Sequence, residues 1–223
     1  MAAPRTSLIF DLDGTLIDSA PDIAFALNEL LAELDCAPLS LEAVRALIGD
    51  GAPILLARAL HAGGAVFEPE TYESLIERYR TLYLDHATVD TTVYAGVPET
   101  LELLRSQGYR MVVCTNKLQH SSLHILEAYD LARYFDGVAG GDMVPARKPD
   151  PGHLLAALKL IGGGPEQAVM IGDGINDVTA AKAAGIPVLV LPSGYGEIEA
   201  AALGGDMLLA DFAEIPAALE SFP

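Results

Sequence analysis

Six short apolar stretches, each closed by turn-forming residues, frame this chain: Leu8 to Phe10, Tyr109 to Cys114, Phe135 to Ala139, Ala168 to Ile171, Pro187 to Leu191 and Met207 to Ala210. They read as strands. Between the later ones lie segments with helical spacing, at Pro98 to Ser106, Ser121 to Tyr129, Pro151 to Leu160, Asp177 to Ala184 and Ile215 to Leu219. Pro98 and Pro151 stand near helix starts, and Gly108 and Gly185 just past helix ends, where their backbone preferences belong. Strand and helix alternate, which predicts an α/β core with a mainly parallel, Rossmann-like sheet.

The first stretch breaks this rhythm. After Asp13 the chain does not return to the sheet until about Val93, and the interval carries helical spacing only, in Ile23 to Leu34, Leu41 to Ile48, Pro53 to His61 and Tyr72 to Leu84. A crossover needs about a dozen residues. The surplus predicts an all-α helical cap domain, residues 17–91, inserted into an α/β core built from 1–16 and 92–223. Its hinges fall near Leu16 to Ser19 and Thr91 to Gly96. The alternative is a long connection packed rigidly on the core, although motion between domains is the default.

A chain of 223 residues that is 51% apolar can bury one large core plus a small accessory domain. No apolar run is long enough to span a membrane, and the acidic turn at Asp11 follows the start too closely for a leader, so a soluble cytoplasmic protein is expected. Cys36 and Cys114 predict two reduced thiols rather than a disulfide framework. A formal charge of −18 opposes binding to nucleic acid or an anionic membrane. An anionic small molecule would likewise need a local cationic site, because the global field repels it.

Ligand crevices of open parallel sheets lie beyond the carboxyl ends of the strands. Four strand ends here carry chemistry: Asp11-Leu12-Asp13-Gly14-Thr15, then Thr115-Asn116, then Arg147-Lys148-Pro149-Asp150, then Gly172-Asp173-Gly174-Ile175-Asn176-Asp177. Singly, Thr115 could cap a helix, Lys148 could be a solvated charge and Asp173 could form a turn. Together they place a nucleophile, a second acid, a hydroxyl, an amide, an ammonium and further carboxylates in one crevice. Clustered acids at the end of a buried strand call for a cation, and magnesium with a phosphate substrate is the commonest answer.

Other motif readings fail on spacing. Asp177 stands where a dinucleotide fingerprint needs its third glycine, and its charge would repel pyrophosphate. Gly14 is misplaced for an EF-hand, and no closing glutamate follows. His120 and His124 share a helix face without a third ligand, which predicts a surface pair rather than a zinc site.

The four strand-end motifs stand in the order found in the haloacid dehalogenase superfamily, and the chain resembles that family over essentially its whole length. Within it, Tyr94-Ala-Gly-Val-Pro98, Thr115-Asn-Lys117, Gly140-Gly-Asp142, Arg147-Lys-Pro-Asp-Pro151 and the segment Val44 to Gly51 most resemble phosphoglycolate phosphatases. Gly174 departs from the serine more usual there. The resemblance implies a phosphomonoesterase with Asp11 as nucleophile and Asp13 as general acid and base. It also implies magnesium held by Asp11, Asp13 and Asp173, with Asp177 in the metal set through a metal-bound water or orienting Lys148. Thr115, Asn116 and Lys148 would bind the phosphate. The segment between Asp13 and Val93 contains no lysine, which argues against Schiff-base chemistry in the cap. Arg45, beside Gly49-Asp50-Gly51, is the candidate for a carboxylate on a small leaving group such as glycolate. The expected partner is therefore a small phosphate monoester, with neither nucleic acid nor membrane. Alternatives are a sugar-phosphate phosphatase, a pyrophosphatase, a phosphoglucomutase or a non-catalytic phosphate-binding module.

Overall fold

The computed structural model describes residues 6–196 and 198–222; residues 1–5, which the sequence reading assigns to the core, lie outside the described residues. The chain opens with β1 (Ser7–Phe10) and the two-residue β2 (Ile17–Asp18), then gives α1 (Ala20–Glu33), α2 (Leu41–Leu47), α3 (Ala52–Ala62) and α4 (Tyr72–His86) before β3 (Thr92–Val93). From there helix and strand alternate through α5 (Val97–Ser106), β4 (Arg110–Cys114), α6 (Gln119–Ala128), β5 (Gly137–Ala139), α7 (Pro151–Leu160), β6 (Ala168–Gly172), α8 (Ile175–Ala184), β7 (Val188–Val190), β8 (Met207–Leu208) and α9 (Ile215–Leu219).

Six of these strands form one parallel sheet in the order β5-β4-β1-β6-β7-β8. Each predicted stretch supplies one strand, and the differences are at the ends. Strand β5 starts at Gly137 rather than Phe135, because Ala132–Tyr134 first closes a 3-10 turn. The antiparallel pair β2-β3, with Ile17 opposite Val93 and Asp18 opposite Thr92, has no apolar signature because each strand is only two residues long.

Side chains alternate across the sheet as a period of two requires. Leu8, Phe10, Met111, Val113, Val169 and Ile171 join one core with α5, α6 and α9. Ile9, Val112, Cys114, Met170, Val188 and Val190 join the other with α7 and α8. Phe10 is fully buried, stacked on Phe212 and edge-on to Phe135, with both centroids at 5.9 Å. Burying a phenylalanine of this kind is worth about 2 to 3 kcal/mol.

Helices α1 to α4 lie between the two short antiparallel strands in chain order. Helices α1 and α4 pack through Ile23, Leu27, Leu30, Ile76 and Tyr83, all buried. Asp22, in the first turn of α1, is wholly buried. Its carboxylate accepts hydrogen bonds from the amides of Asp90 and Thr91 (both 2.9 Å) and from the Thr91 hydroxyl (2.6 Å), which ties the outgoing chain to the returning one. Among the described residues no helix is long and apolar enough to cross a membrane. Cys36 and Cys114 are both free thiols.

Candidate active site

All six core strands run the same way, so their carboxyl ends share one edge. β1 lies between β4 and β6, with Phe10 in register with Val113 and Ile171. The residues just beyond these ends, Asp11, Thr115 and Asp173, therefore emerge side by side where the strand order reverses. The Asp11 amide donates to the Ile171 carbonyl (3.0 Å), which holds the residue at the sheet edge. Gly14 follows with φ +87°, and a Cβ there would run into the Asp173 carboxylate. A glycine is therefore required both for the turn and for the close approach.

Lys148 comes from the long loop between β5 and α7 and is 3% exposed. Its Nζ lies 2.8 Å from Asp11 Oδ1 and 2.7 Å from Asp177 Oδ1. Asp177 in turn accepts from the amides of Asp173 and Gly174 through Oδ2, so both of its oxygens are engaged. Asp173 accepts from the Thr15 hydroxyl (2.5 Å) and the Tyr195 amide (3.2 Å). The Thr15 side chain thus braces Asp173.

Burial raises the Asp11 carboxyl to about 7, with Lys148 pulling it down and Asp177 adding to the rise. Asp173 is raised well above the usual carboxylate range, first by burial and then by the charges of Asp177 and Asp11. Burial disfavours the Lys148 ammonium, but Asp11 and Asp177 outweigh it and keep the group protonated. One ammonium among three carboxylates leaves the pocket short of positive charge. Asp11, Asp173 and Asp177 bring carboxylate oxygens within 4.8 Å of one another. This hard-oxygen set fits a divalent cation.

Asp11, Asp13, Thr115, Asn116, Lys148, Asp173 and Asp177 all line one cavity of about 480 Å³. Asp13 accepts from the Ser19 hydroxyl (2.5 Å) and, with both oxygens, from Lys117 Nζ (3.0 Å each). Asn116 directs its side-chain amide at the carbonyls of Gly49 (2.8 Å) and Lys148 (2.9 Å), so that group joins the α2-α3 loop to the core. Asn176 makes a second tie, to Gly49 O and Asp50 Oδ1. Arg45 lies elsewhere: it does not line the cavity, and its guanidinium is paired with Asp18 at 2.6 Å with the side chain 43% exposed. Ser19 and Tyr83 carry no signal in the sequence as site residues, and Lys117 stands there only as the last residue of the Thr115-Asn-Lys117 segment. Only the position of Lys117 directly after Thr115-Asn116 could have raised it.

Comparison with known proteins agrees with this geometry. The family model for haloacid dehalogenase-like hydrolases matches residues 6–185. A phosphoglycolate phosphatase of Caulobacter vibrioides is 41% identical over 212 residues, covering 95% of this chain and 90% of the relative. One of Rhodospirillum rubrum is 40% identical, covering 94% and 88%. Among solved structures, a predicted phosphoglycolate phosphatase from Haemophilus somnus superposes with a TM-score of 0.92 at 32% identity, covering 96% of this chain and 97% of that one. The chain belongs to the haloacid dehalogenase-like hydrolases.

Proposed function

We propose that this chain is a magnesium-dependent phosphomonoesterase acting on a small phosphorylated acid, 2-phosphoglycolate, in the cytoplasm. The observation that carries the reading is the Asp11-Lys148-Asp177 chain of contacts at 2.8 and 2.7 Å, set beside Asp173 at the reversal of strand order. The names of the relatives at about 40% identity support the substrate. The two free thiols are in keeping with a reducing compartment.

Asp11 attacks phosphorus, and its oxygen–phosphorus bond forms as the bond to the ester oxygen breaks. Asp13 gives its proton to the departing oxygen, then takes one from the water that cleaves the aspartyl phosphate and releases Asp11. Lys148, the Thr115 hydroxyl and the Asn116 backbone N–H offset charge on the phosphoryl oxygens. Asp177 fixes the Lys148 ammonium between itself and Asp11. Magnesium, held by Asp11, Asp173 and the Asp13 carbonyl with Asp177 alongside, would supply the positive charge that lets a phosphate dianion approach these acids. Helices α1 to α4 act as the cap that closes over the leaving group.

Phosphate release from a panel of monoesters, with and without chelator, tests the reading. Metal-dependent turnover of 2-phosphoglycolate far above that of sugar phosphates is expected, whereas broad and weak activity would argue for a generalist phosphatase. Asp11→Asn should cut kcat by on the order of a thousandfold or more. Unchanged turnover in that variant would remove Asp11 as nucleophile.

A further inference from the structure

We infer that Lys117 receives a carboxylate on the leaving half of the substrate and so determines which phosphate ester is hydrolysed, an inference that rests on the phosphatase reading above. The sequence contains four lysines, Lys117, Lys148, Lys159 and Lys182. Two of them line the cavity, while Lys159 and Lys182 are exposed. Lys148 is fixed at the nucleophile. Lys117 is fixed at the other acid: its Nζ stands 3.0 Å from each oxygen of Asp13, with the side chain 9% exposed.

An ammonium has three donors. Asp13 takes two of those on Lys117, and among the described residues no other hydrogen-bond acceptor reaches it. The ring of Tyr83 lies beneath the ammonium, its centroid 4.6 Å away. That face holds a cation without offering a lone pair. Tyr83 also lines the cavity, and its hydroxyl is buried without a hydrogen-bond partner. A wall with one free ammonium donor and one orphan hydroxyl is complementary to an anionic oxygen pair.

Geometry fixes where that pair must sit on the substrate. The ester oxygen that takes a proton from Asp13 lies about 2.7 Å from its carboxylate, and Lys117 reaches the same carboxylate. A carboxylate joined to the ester oxygen through a single carbon has its own oxygens about 3 Å from that ester oxygen, close enough to share the ammonium. Longer acids would overshoot, and a neutral leaving group would leave the donor and the hydroxyl unmatched. The other cavity cations lie on other acids, Arg58 on Asp50 at 2.7 Å and Arg80 on Glu77, so Lys117 is the cavity cation paired with Asp13. Lys117 thus takes the role that the sequence reading gave to Arg45.

The test compares 2-phosphoglycolate with 2-hydroxyethyl phosphate, an analogue of equal length whose leaving half carries no charge, on the wild-type protein, Lys117→Met and Lys117→Arg with magnesium present. Wild type should prefer the acid. Lys117→Met should lose about 10- to 100-fold in kcat/KM on 2-phosphoglycolate beyond its loss on the analogue, mainly through KM. Lys117→Arg should recover part of the difference. Equal losses on both substrates would overturn the inference and leave Lys117 as a support for Asp13 alone. Failure of the wild type to hydrolyse 2-phosphoglycolate would overturn the substrate assignment and the inference together. If Lys117→Met turns over neither substrate, calorimetry on the Asp11→Asn background decides. Weaker binding of 2-phosphoglycolate with unchanged binding of inorganic phosphate supports the inference, and equal weakening, or none, overturns it.

Discussion

His153, in the first turn of α7, is buried and carries no charge: Nε2 donates to the Ala139 carbonyl (3.1 Å) and Nδ1 accepts from the Lys148 amide (3.3 Å). Burial lowers its pKa to about 4, helped by the nearby charges of Lys148 and Arg147. Protonating Nδ1 would turn the acceptor for the Lys148 amide into a second donor. The folded state therefore disfavours a proton that the unfolded chain takes up near pH 6.5, and the stability this group contributes is lost as pH falls from about 6.5 to about 4. Urea unfolding should show wild type losing on the order of 2 kcal/mol more than His153→Gln between about pH 7 and about pH 5. Parallel pH profiles for the two proteins would show that the ring does not behave this way.

At the scale of elements, the loop between α2 and α3 reaches the catalytic edge. Its Gly49 carbonyl is held by Asn116 and Asn176, one from the loop after β4 and one from α8. Gly51 has φ +82°, and a Cβ there would press on the Arg147 guanidinium and the Asn116 carbonyl. Gly51→Ala should cost about 1 to 3 kcal/mol and lower kcat/KM as well, because the displaced loop pulls on Asn116 beside Thr115. Gly64, at φ +77° with nothing within 4 Å of the point a Cβ would occupy, is the control. Gly64→Ala should lose stability with no matching change in kinetics. Similar kinetic losses in both variants would mean that the loop's ties to the core do not matter for turnover.

For the whole molecule, the acidic cluster makes stability depend on cation. Half-buried Asp11 and buried Asp173 and Asp177 repel one another in the folded state but not in the unfolded chain, so an ion that binds only the folded form stabilises it by mass action. Magnesium at about ten times its Kd should add about 1.4 kcal/mol, a rise in Tm of about 3 to 6 °C for a chain of this size. Chelator should reverse the rise and Asp173→Asn should abolish it. An Asp173→Asn protein that still gains the full increase would place the ion elsewhere. The formal charge of −18 works against binding any anion, so the whole attraction for substrate must come from the few cations enclosed in the cavity.

Much of the fold was legible in the chain because strand and helix each impose a local period: all six strands of the main sheet sit on the predicted apolar stretches, and α7 and α9 match their predicted limits residue for residue. What escaped was short or held by distant partners, as with the 3-10 turns and the β2-β3 pair. The cavity residues Asp11, Thr115 and Asp173 could be read because each directly follows a strand, and parallel strands must end on one edge. Lys117 and Tyr83 could not be paired by any local rule, since the Lys117 ammonium, in the loop after β4, meets its acid 104 residues away and its aromatic ring on α4. Arg45 could not be placed from the sequence, because its neighbours Ala46 to Ala52 line the cavity while its own side chain turns to Asp18. Sequence alone determined which segments become strand or helix and which strand ends carry acids, because those depend on neighbours along the chain. Only tertiary structure decided which cation stands on Asp13, because that depends on the packing of α4 against the loop after β4.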